Sequence, residues 1–316
     1  MSKIKEKIYI GVDVSKHHLD VACGNSVKRF EFSSEGLGDL FAWVKSSKPD
    51  LDYHFIFEPS GAYEIPLAEF LSSEKILWSR PNALRIRQYA RATGVIAKTD
   101  KLDAKILASY GEAFTPKPQQ LEASELRELR ELMKRRQQVT QLLVQEKVAF
   151  ESVQDTFCRK EIKNSLRRFE RDIERLDRRI EEHLKEEGEL QKKVETLQKI
   201  KGVGLQSALI LTAYLPELGK VNRREIASLG GLAPVTRESG MWKGQRKLGP
   251  GRVQVRRVLY MAALSACRFN PKMKELYEKM KEAGKPSKVA LCAIARRLLT
   301  ALNSLMKSSF PQQSNS

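Results

Sequence analysis

Short apolar segments rich in β-branched residues open the chain, and they constrain its fold more than any other feature. The runs Lys7–Val14, Leu19–Cys23 and Val27–Phe32 follow one another closely, and Gly24 and Asn25 form a two-residue turn between the last two. Runs of this length and composition predict β-strands, and such a turn predicts a hairpin. We therefore expect the first three strands to form an antiparallel meander.

Strand and helix patterns alternate after this meander. Tyr53–Phe57 and Ile76–Trp78 are predicted strands, and helical patterns lie around Leu37–Lys45 and Tyr63–Leu71. A meander followed by alternating helices and strands favours a ribonuclease-H-like α/β layer, because an ordinary doubly wound fold would lack the opening meander.

Four carboxylates in this region are candidates for a metal site. Asp13 lies among valines in the first strand, Glu58 follows a strand, and Asp100 and Asp103 would share one helix face. A lone carboxylate in an apolar strand is costly unless it is paired or binds a metal. Carboxylates that converge would bind Mg²⁺, with Mn²⁺ able to substitute. Two such ions can activate the attacking oxygen and stabilise the leaving oxygen of a phosphodiester.

Each acid also has a purely structural interpretation. Asp100 could cap a helix, Asp103 could pair with Lys98 or Lys101, and Glu58 could lie in a loop. The order of a strand Asp, a strand Glu and a helical Asp-x-x-Asp within one ribonuclease-H-like pattern favours a shared site.

A polar segment that contains prolines, Phe114–Gln120, precedes two long helical patterns. The second pattern has apolar residues at alternating steps of four and three, which predicts a coiled coil. The partner of this heptad seam is either the preceding helix or another subunit. His183 occupies the next seam position and is interpreted as structural. The seam residues are Ile162, Leu166, Phe169, Ile173, Leu176 and Ile180.

The positive charge of the chain is concentrated in its last third. The net charge is +18, and residues 196–316 carry +16 of it, with 22 basic and 6 acidic residues. A one-sided excess of this size indicates a bound polyanion, with nucleic acid favoured over a merely solubilising surface.

The last third also contains two candidate phosphate sites. Lys201, Gly202 and Gly204 precede a helix in a helix-hairpin-helix pattern, where glycines would let a phosphate approach backbone N–H groups; a plain tight turn is the alternative. Ser239 lies next to Gly240 in a basic segment that could hold a scissile phosphate. A turn serine in a basic loop is the alternative there. The basic residues of the segment are Arg237, Lys243, Arg246, Lys247, Arg252, Arg256 and Arg257.

Several motifs resemble, in order, those of one known family. The segments YIGVDVSK, FEPSG and KTDKLDA resemble the acidic motifs of the DEDD transposases of bacterial insertion sequences, the IS110 family, which is related to the Piv DNA invertases. IKGVG, IASLGGLAP, ESG and RRVLYMAAL resemble that family's C-terminal transposase domain. The resemblance extends from about residue 8 to residue 306. One departure is the turn Leu248–Gly251, where family members often have a lysine.

The resemblance implies a RuvC-like N-terminal domain, a central coiled coil and a mostly helical C-terminal domain with a helix-hairpin-helix motif. It implies Asp13, Glu58, Asp100 and Asp103 as the acidic set and Ser239 as a nucleophile that becomes covalently attached to DNA. It also implies a recombinase that joins an element to a target under the guidance of a structured bridge RNA. The expected partners are the element ends, the target DNA, the guide RNA and further copies of the chain, as a dimer or tetramer.

The expected domains are 1–113 for the RuvC-like part, 114–195 for the linker and coiled coil, 196–308 for the transposase domain, and 309–316 for a disordered tail. No apolar run of about 20 residues or secretory signal is visible, so a bacterial cytoplasmic location is expected. Three other functions compete with a recombinase. They are a RuvC-like nuclease or junction resolvase without a covalent step, an actin-like ATPase, which would need a second phosphate loop, and a non-catalytic DNA binder.

Overall fold

The computed structural model describes residues 7–49, 51–94, 100–235, 238–239, 242–243 and 247–311, without the side chains of residues 100, 101, 235, 238, 239, 242, 243 and 247. The chain forms two compact units, Met1–Glu122 and Ala123–Ser316.

The first unit is built on a five-stranded mixed sheet. Its strands are β1 (Lys7–Val14), β2 (His18–Cys23), β3 (Ser26–Glu31), β4 (Asp52–Phe57) and β5 (Leu77–Ser79), in the order β3-β2-β1-β4-β5. The first three strands pair antiparallel and the last two run parallel to β1. The predicted meander is confirmed, and the sheet is consistent with a RuvC-like domain.

Helices cover both faces of this sheet. Helices α1 (Ser34–Ser47) and α2 (Ile65–Ser73) share a buried core with Ile10 and Val12 of β1. On the opposite face, α3 (Ala83–Ala92) and α4 (Asp100–Phe114) pack against residues that include Tyr9 and Ile56. Successive strand residues point to opposite faces, so Tyr9, Gly11 and Asp13 all face α4.

Helix α4 crosses β1 at very close range because Gly11 has no side chain. A Cβ atom on Gly11 would lie 1.9 Å from the Ala104 carbonyl oxygen and 2.5 Å from the Ala108 nitrogen. Further along the helix, a Cβ on Gly111 would lie 2.7 Å from the Tyr9 ring. The helix therefore runs antiparallel to β1, and its first turn points toward the end of β1 at Asp13.

The second unit is mostly helical. Its strand pairs are two residues long, and its core contains residues of α7, α8, α10 and α12. The elements are α5 (Ser124–Ser152), α6 (Thr156–Glu186), α7 (Gly188–Gln198), α8 (Leu205–Tyr214), α9 (Arg223–Leu229), β6 (Pro234–Val235), β7 (Glu238–Ser239), β8 (Trp242–Lys243), β9 (Lys247–Leu248), α10 (Val253–Phe269), α11 (Pro271–Glu282) and α12 (Ser287–Ser309).

Helix α6 lies beside the preceding helix, α5. Pairs such as Arg179 with Glu128 and Lys147 with Glu170 join α5 and α6 in antiparallel order. Ile180 is buried, whereas the five earlier seam residues are only half-buried. His183 is buried and its Nε2 lies 2.9 Å from the carbonyl oxygen of Glu125, which agrees with a structural role.

Among the described residues, one helix, α12, is long and apolar enough to cross a membrane. Half of its most apolar 18-residue stretch is buried, and Ile294, Leu298 and Leu302 lie in the core of the second unit. Packing against the core accounts for the composition of this helix.

Candidate active site

Asp13 and Glu58 lie at the carboxyl ends of neighbouring parallel strands. Val12 of β1 pairs with Phe57, the last residue of β4, and each is followed by an acid, Asp13 within β1 and Glu58 directly after β4. Ile56 and Gly11 are also paired and both face α4, so Asp13, two residues further along β1, continues along that face. Both carboxylates are half-buried.

The first turn of α4, which contains the other two acids, lies near the same edge. Asp103 immediately precedes Ala104, which contacts Gly11. A strand rises about 3.3 Å per residue and a helix about 1.5 Å, so Asp13 lies level with the start of α4. Asp103 is half-buried, and Asp100 is the first residue of the helix, although its side chain is outside the described atoms.

The donor set fits a divalent cation by its chemistry. Oxygen ligands from carboxylates are those that Mg²⁺ prefers, and strand ends and a helix start direct them to one edge of the sheet. Among the side chains that the structure describes, no three His, Cys, Asp or Glu residues form a metal-binding group. Asp13, Glu58 and Asp103 are described and do not form such a group by themselves, while Asp100 lies outside the described side chains.

Sequence reasoning missed a buried acid beside this edge. Asp20 of β2 pairs directly with Asp13 and is 1% exposed. Arg29 of β3 donates two hydrogen bonds to its carboxylate, from Nε to Oδ1 at 3.1 Å and from Nη2 to Oδ2 at 2.7 Å. The turn at Gly24 and Asn25 could have revealed this pair, because a two-residue hairpin places residue 20 opposite residue 29.

A buried glutamate holds the loop that follows Glu58. Glu64 is 3% exposed, and its Oε2 accepts hydrogen bonds from the Ser60 and Ala62 backbone nitrogens, both at 3.0 Å. Its Oε1 accepts a 2.6 Å bond from Arg80. Burial would raise the pKa of Glu64, but backbone hydrogen bonds and Arg80 together hold it below its ordinary value. This network fixes the backbone next to a candidate metal ligand.

Ser239 lies in a short hairpin of the second unit. The backbone of β7 pairs antiparallel with β8, with Ser239 opposite Trp242 and Glu238 opposite Lys243. The side chains of Ser239, Lys243 and Lys247 are outside the described atoms, and Arg237, Gly240 and Arg246 lie outside the described residues.

The remaining basic residues of the segment differ in their partners. Arg252 donates hydrogen bonds to both carboxylate oxygens of Glu217, at 2.5 and 2.6 Å, and Arg256 donates one to the Gly249 carbonyl at 3.2 Å. Arg257 is exposed and lines a groove of about 810 Å³ between α5, α8 and α10. Arg252 and Arg256 thus stabilise the second unit, while Arg257 is accessible. Glutamines 137, 141, 145, 206 and 254 also line the groove.

The glycine turn between α7 and α8 has a packing requirement of its own. Gly202 has φ of 104°, and a Cβ there would lie 2.7 Å from the Ala266 side chain on α10. Gly204 precedes α8 and is exposed, as is Lys201. The close contact with α10 is enough to explain why residue 202 is a glycine, without any bound phosphate.

A ribonuclease-H-like sheet with acids at its carboxyl edge, joined to a helical unit, is consistent with the class of DEDD transposases and recombinases. Two family models match the chain. The model for DEDD transposases of IS110 type covers residues 10–158, and that for the "Transposase IS116/IS110/IS902 family" covers residues 194–278. The chain belongs to the IS110 family of DEDD transposases and recombinases.

Curated relatives agree with this assignment along the whole chain. The chain is 28% identical to the "Pilin gene-inverting protein" of Moraxella lacunata, over 96% of this chain and 97% of the relative. The protein of the same name from Moraxella bovis matches to the same extent. A 42 kDa protein of the insertion element IS900 from Mycobacterium paratuberculosis is 36% identical over 84 residues, which is 26% of this chain and 21% of the relative.

Proposed function

We propose that this DNA recombinase cleaves and rejoins DNA strands with a Mg²⁺ site formed by Asp13, Glu58, Asp100 and Asp103. The observation that supports the site best is the close crossing of α4 over Gly11. It directs the first turn of the helix to the strand edge that carries Asp13 and Glu58.

Membership in the DEDD family implies a requirement for a divalent metal. We infer that the metal is Mg²⁺, with Mn²⁺ able to substitute, because the proposed ligands are all carboxylates. The bound cation would supply charge stabilisation to the phosphodiester and activate the attacking oxygen. The carboxylates would hold it, and Glu64 fixes the backbone of the loop that follows Glu58.

Ser239 is the proposed nucleophile. Its Oγ attacks the phosphorus of a DNA phosphodiester, forms a new phosphorus–oxygen bond and loses its proton, while the bond to the departing deoxyribose oxygen breaks and that oxygen takes up a proton. A serine hydroxyl is a weak nucleophile and needs a base or a metal to activate it. The reverse attack by a different DNA end would rejoin the strands and release the serine.

The proposed partners are the element ends, target DNA and a structured guide RNA. The excess positive charge of residues 196–316 supports binding of a polyanion there. Gln137, Gln141 and Arg257 in the groove of the second unit could contact bases and phosphates. Exposed Lys201 and Gly204 at the α8 turn are proposed to contact a phosphate.

A homo-oligomer is also part of the proposal, because half-buried seam residues such as Leu166 and Phe169 would be covered by a second subunit. A cytoplasmic location, with association to the nucleoid during the reaction, is proposed from the DNA substrate.

A hydrolytic RuvC-like nuclease is the second candidate. It is favoured by the observation that all four acids lie in the first unit, so that water could replace Ser239 as the nucleophile.

The acidic site is tested by conservative substitutions assayed for strand cleavage. Asp13→Asn, Glu58→Gln and Asp103→Asn should each lower the Mg²⁺-dependent cleavage rate by at least about a hundredfold, since each would remove a metal ligand. Asp39→Asn, an exposed acid on α1, is the matched control and should retain full activity. Full activity in Asp13→Asn would overturn the proposed site.

A further inference from the structure

We propose that Asp20 and Arg29 form a positioning pair that sets the charge at the acidic site. This inference rests on the proposed metal site and adds residues to it that lie on β2 and β3. Asp13, Asp20 and Arg29 occupy consecutive paired positions across β1, β2 and β3. They share one face of the sheet, the face that α4 covers.

The pair is built into the first unit. Asp20 is 1% exposed, and both of its carboxylate oxygens accept hydrogen bonds from the same guanidinium. His18 Nε2 lies 3.7 Å from Asp20 Oδ2. A buried carboxylate needs such compensation, and a two-point bond to Arg also fixes its orientation. The Arg29 side chain is 51% exposed, so its guanidinium contacts Asp20 from the solvent side.

The position of Asp20 makes its charge important for Asp13. Directly opposed residues in antiparallel strands have Cβ atoms about 5 Å apart, and like charges there repel. Without Arg29, Asp20 would add one negative charge beside the four carboxylates of the proposed site. The positive charge of Arg29 offsets that negative charge. The pair is therefore close to neutral, and its two hydrogen bonds hold it in one orientation.

The two charges predict opposite effects of single substitutions. Asp20→Asn leaves the Arg29 cation beside the site and should weaken cation binding about three- to tenfold, because like charges repel over this distance. Arg29→Gln removes the cation and leaves the Asp20 carboxylate in place, and should strengthen cation binding by a similar factor. The double variant Asp20→Asn/Arg29→Gln should bind within about twofold of the wild type, since both charges are gone.

The experiment measures Mn²⁺ binding to the full-length protein at pH 8 by electron paramagnetic resonance of the free ion, together with the thermal unfolding midpoint of each variant. Arg29→Lys keeps the charge and should leave the Mn²⁺ affinity unchanged even if it lowers stability. Single variants that are folded and shift the affinity in the same direction, or not at all, would overturn the proposal.

Asp13→Asn separates this inference from the proposed function. If Asp13→Asn leaves Mn²⁺ binding unchanged, the metal site itself is wrong. If Asp13→Asn abolishes binding and the two single variants fail to shift it in opposite directions, only the role of the Asp20–Arg29 pair is wrong.

Discussion

At the scale of single residues, the first unit contains a histidine that is held neutral. His54 is fully buried, and burial lowers its pKa to about 4. Its Nε2 lies 2.8 Å from Ser79 Oγ, which itself donates to the Lys117 carbonyl, so Nε2 carries the proton. Nδ1 has no hydrogen-bond partner among the described atoms.

This pKa predicts a loss of stability in acid. Between pH 6.5 and 4 the unfolded chain takes up a proton at residue 54 and the folded chain does not, so the free energy of unfolding should fall by about 3 kcal/mol. His54→Gln should remove most of that fall in urea unfolding measured from pH 4 to 8. His17 is exposed, so His17→Gln is the control and should show the same fall in the free energy of unfolding as the wild type. If the free energy of unfolding of His54→Gln fell in acid as much as that of the wild type, His54 would not be the group responsible.

Glu64 gives a second prediction at this scale. Glu64→Gln removes the charge from a carboxylate that holds two backbone nitrogens and Arg80, and should lower the free energy of unfolding by about 2 kcal/mol. The exposed Glu74→Gln should change it by less than about 0.5 kcal/mol. Equal, small effects of both substitutions in urea unfolding would show that the loop after Glu58 does not depend on Glu64.

Some of these residues could be read from the sequence and others could not. Asp13 and Glu58 stand out because each adjoins a predicted apolar strand. Asp20 was equally visible, but its meaning depends on the strand register that places it opposite both Asp13 and Arg29. Glu64 lies in a helical pattern, and only the folded loop brings its carboxylate back to Ser60 and Ala62.

At the scale of elements, the contact between α4 and β1 positions the candidate site. The five strands of the first unit were predicted to within one residue of their bounds, since alternation and turn residues are local signals. The close crossing at Gly11 was not predicted, because nothing local indicates which helix packs over a strand glycine. The sequence likewise left two possible partners for the α6 seam, α5 and another subunit, because a heptad pattern does not indicate which helix packs against it.

A single added methyl group tests this contact. Gly11→Ala would place a Cβ 1.9 Å from a backbone oxygen of α4, which cannot move without displacing the helix. We expect it to destabilise the first unit by about 3 kcal/mol and to reduce Mg²⁺-dependent cleavage.

Gly38→Ala on α1 is the control for this substitution. Residue 38 is exposed and its Cβ would meet no atom within 4 Å, so the change should stabilise the protein by up to about 1 kcal/mol. A Gly11→Ala variant as stable and active as Gly38→Ala would mean that α4 does not direct its first turn to the site.

At the scale of the whole molecule, the two ends of the chain differ in net charge. Residues 196–316 carry +16, whereas residues 1–110 carry 16 basic and 14 acidic residues. We therefore predict that the last third supplies most of the affinity for nucleic acid. Replacing the exposed Lys272, Lys285 and Lys288 by Gln should reduce the slope of log affinity against log salt by about 2 to 3.

The matched triple variant replaces the exposed lysines Lys45, Lys48 and Lys117 of the first unit. It should change the slope by less than about 1, as measured by fluorescence anisotropy with duplex DNA over a salt series. Equal changes in the two variants would place the nucleic-acid surface in both units.

The proposed function requires both Ser239 as the nucleophile and the acidic set. The most direct measurement is denaturing gel analysis of a labelled DNA substrate incubated with the protein and Mg²⁺, followed by mass spectrometry of the attached peptide. We predict a covalent adduct on Ser239 that is lost in Ser239→Ala and strongly reduced in Asp13→Asn. An adduct that still forms with Ser239→Ala, or cleavage by that variant at the wild-type rate, would contradict the account and favour a hydrolytic nuclease.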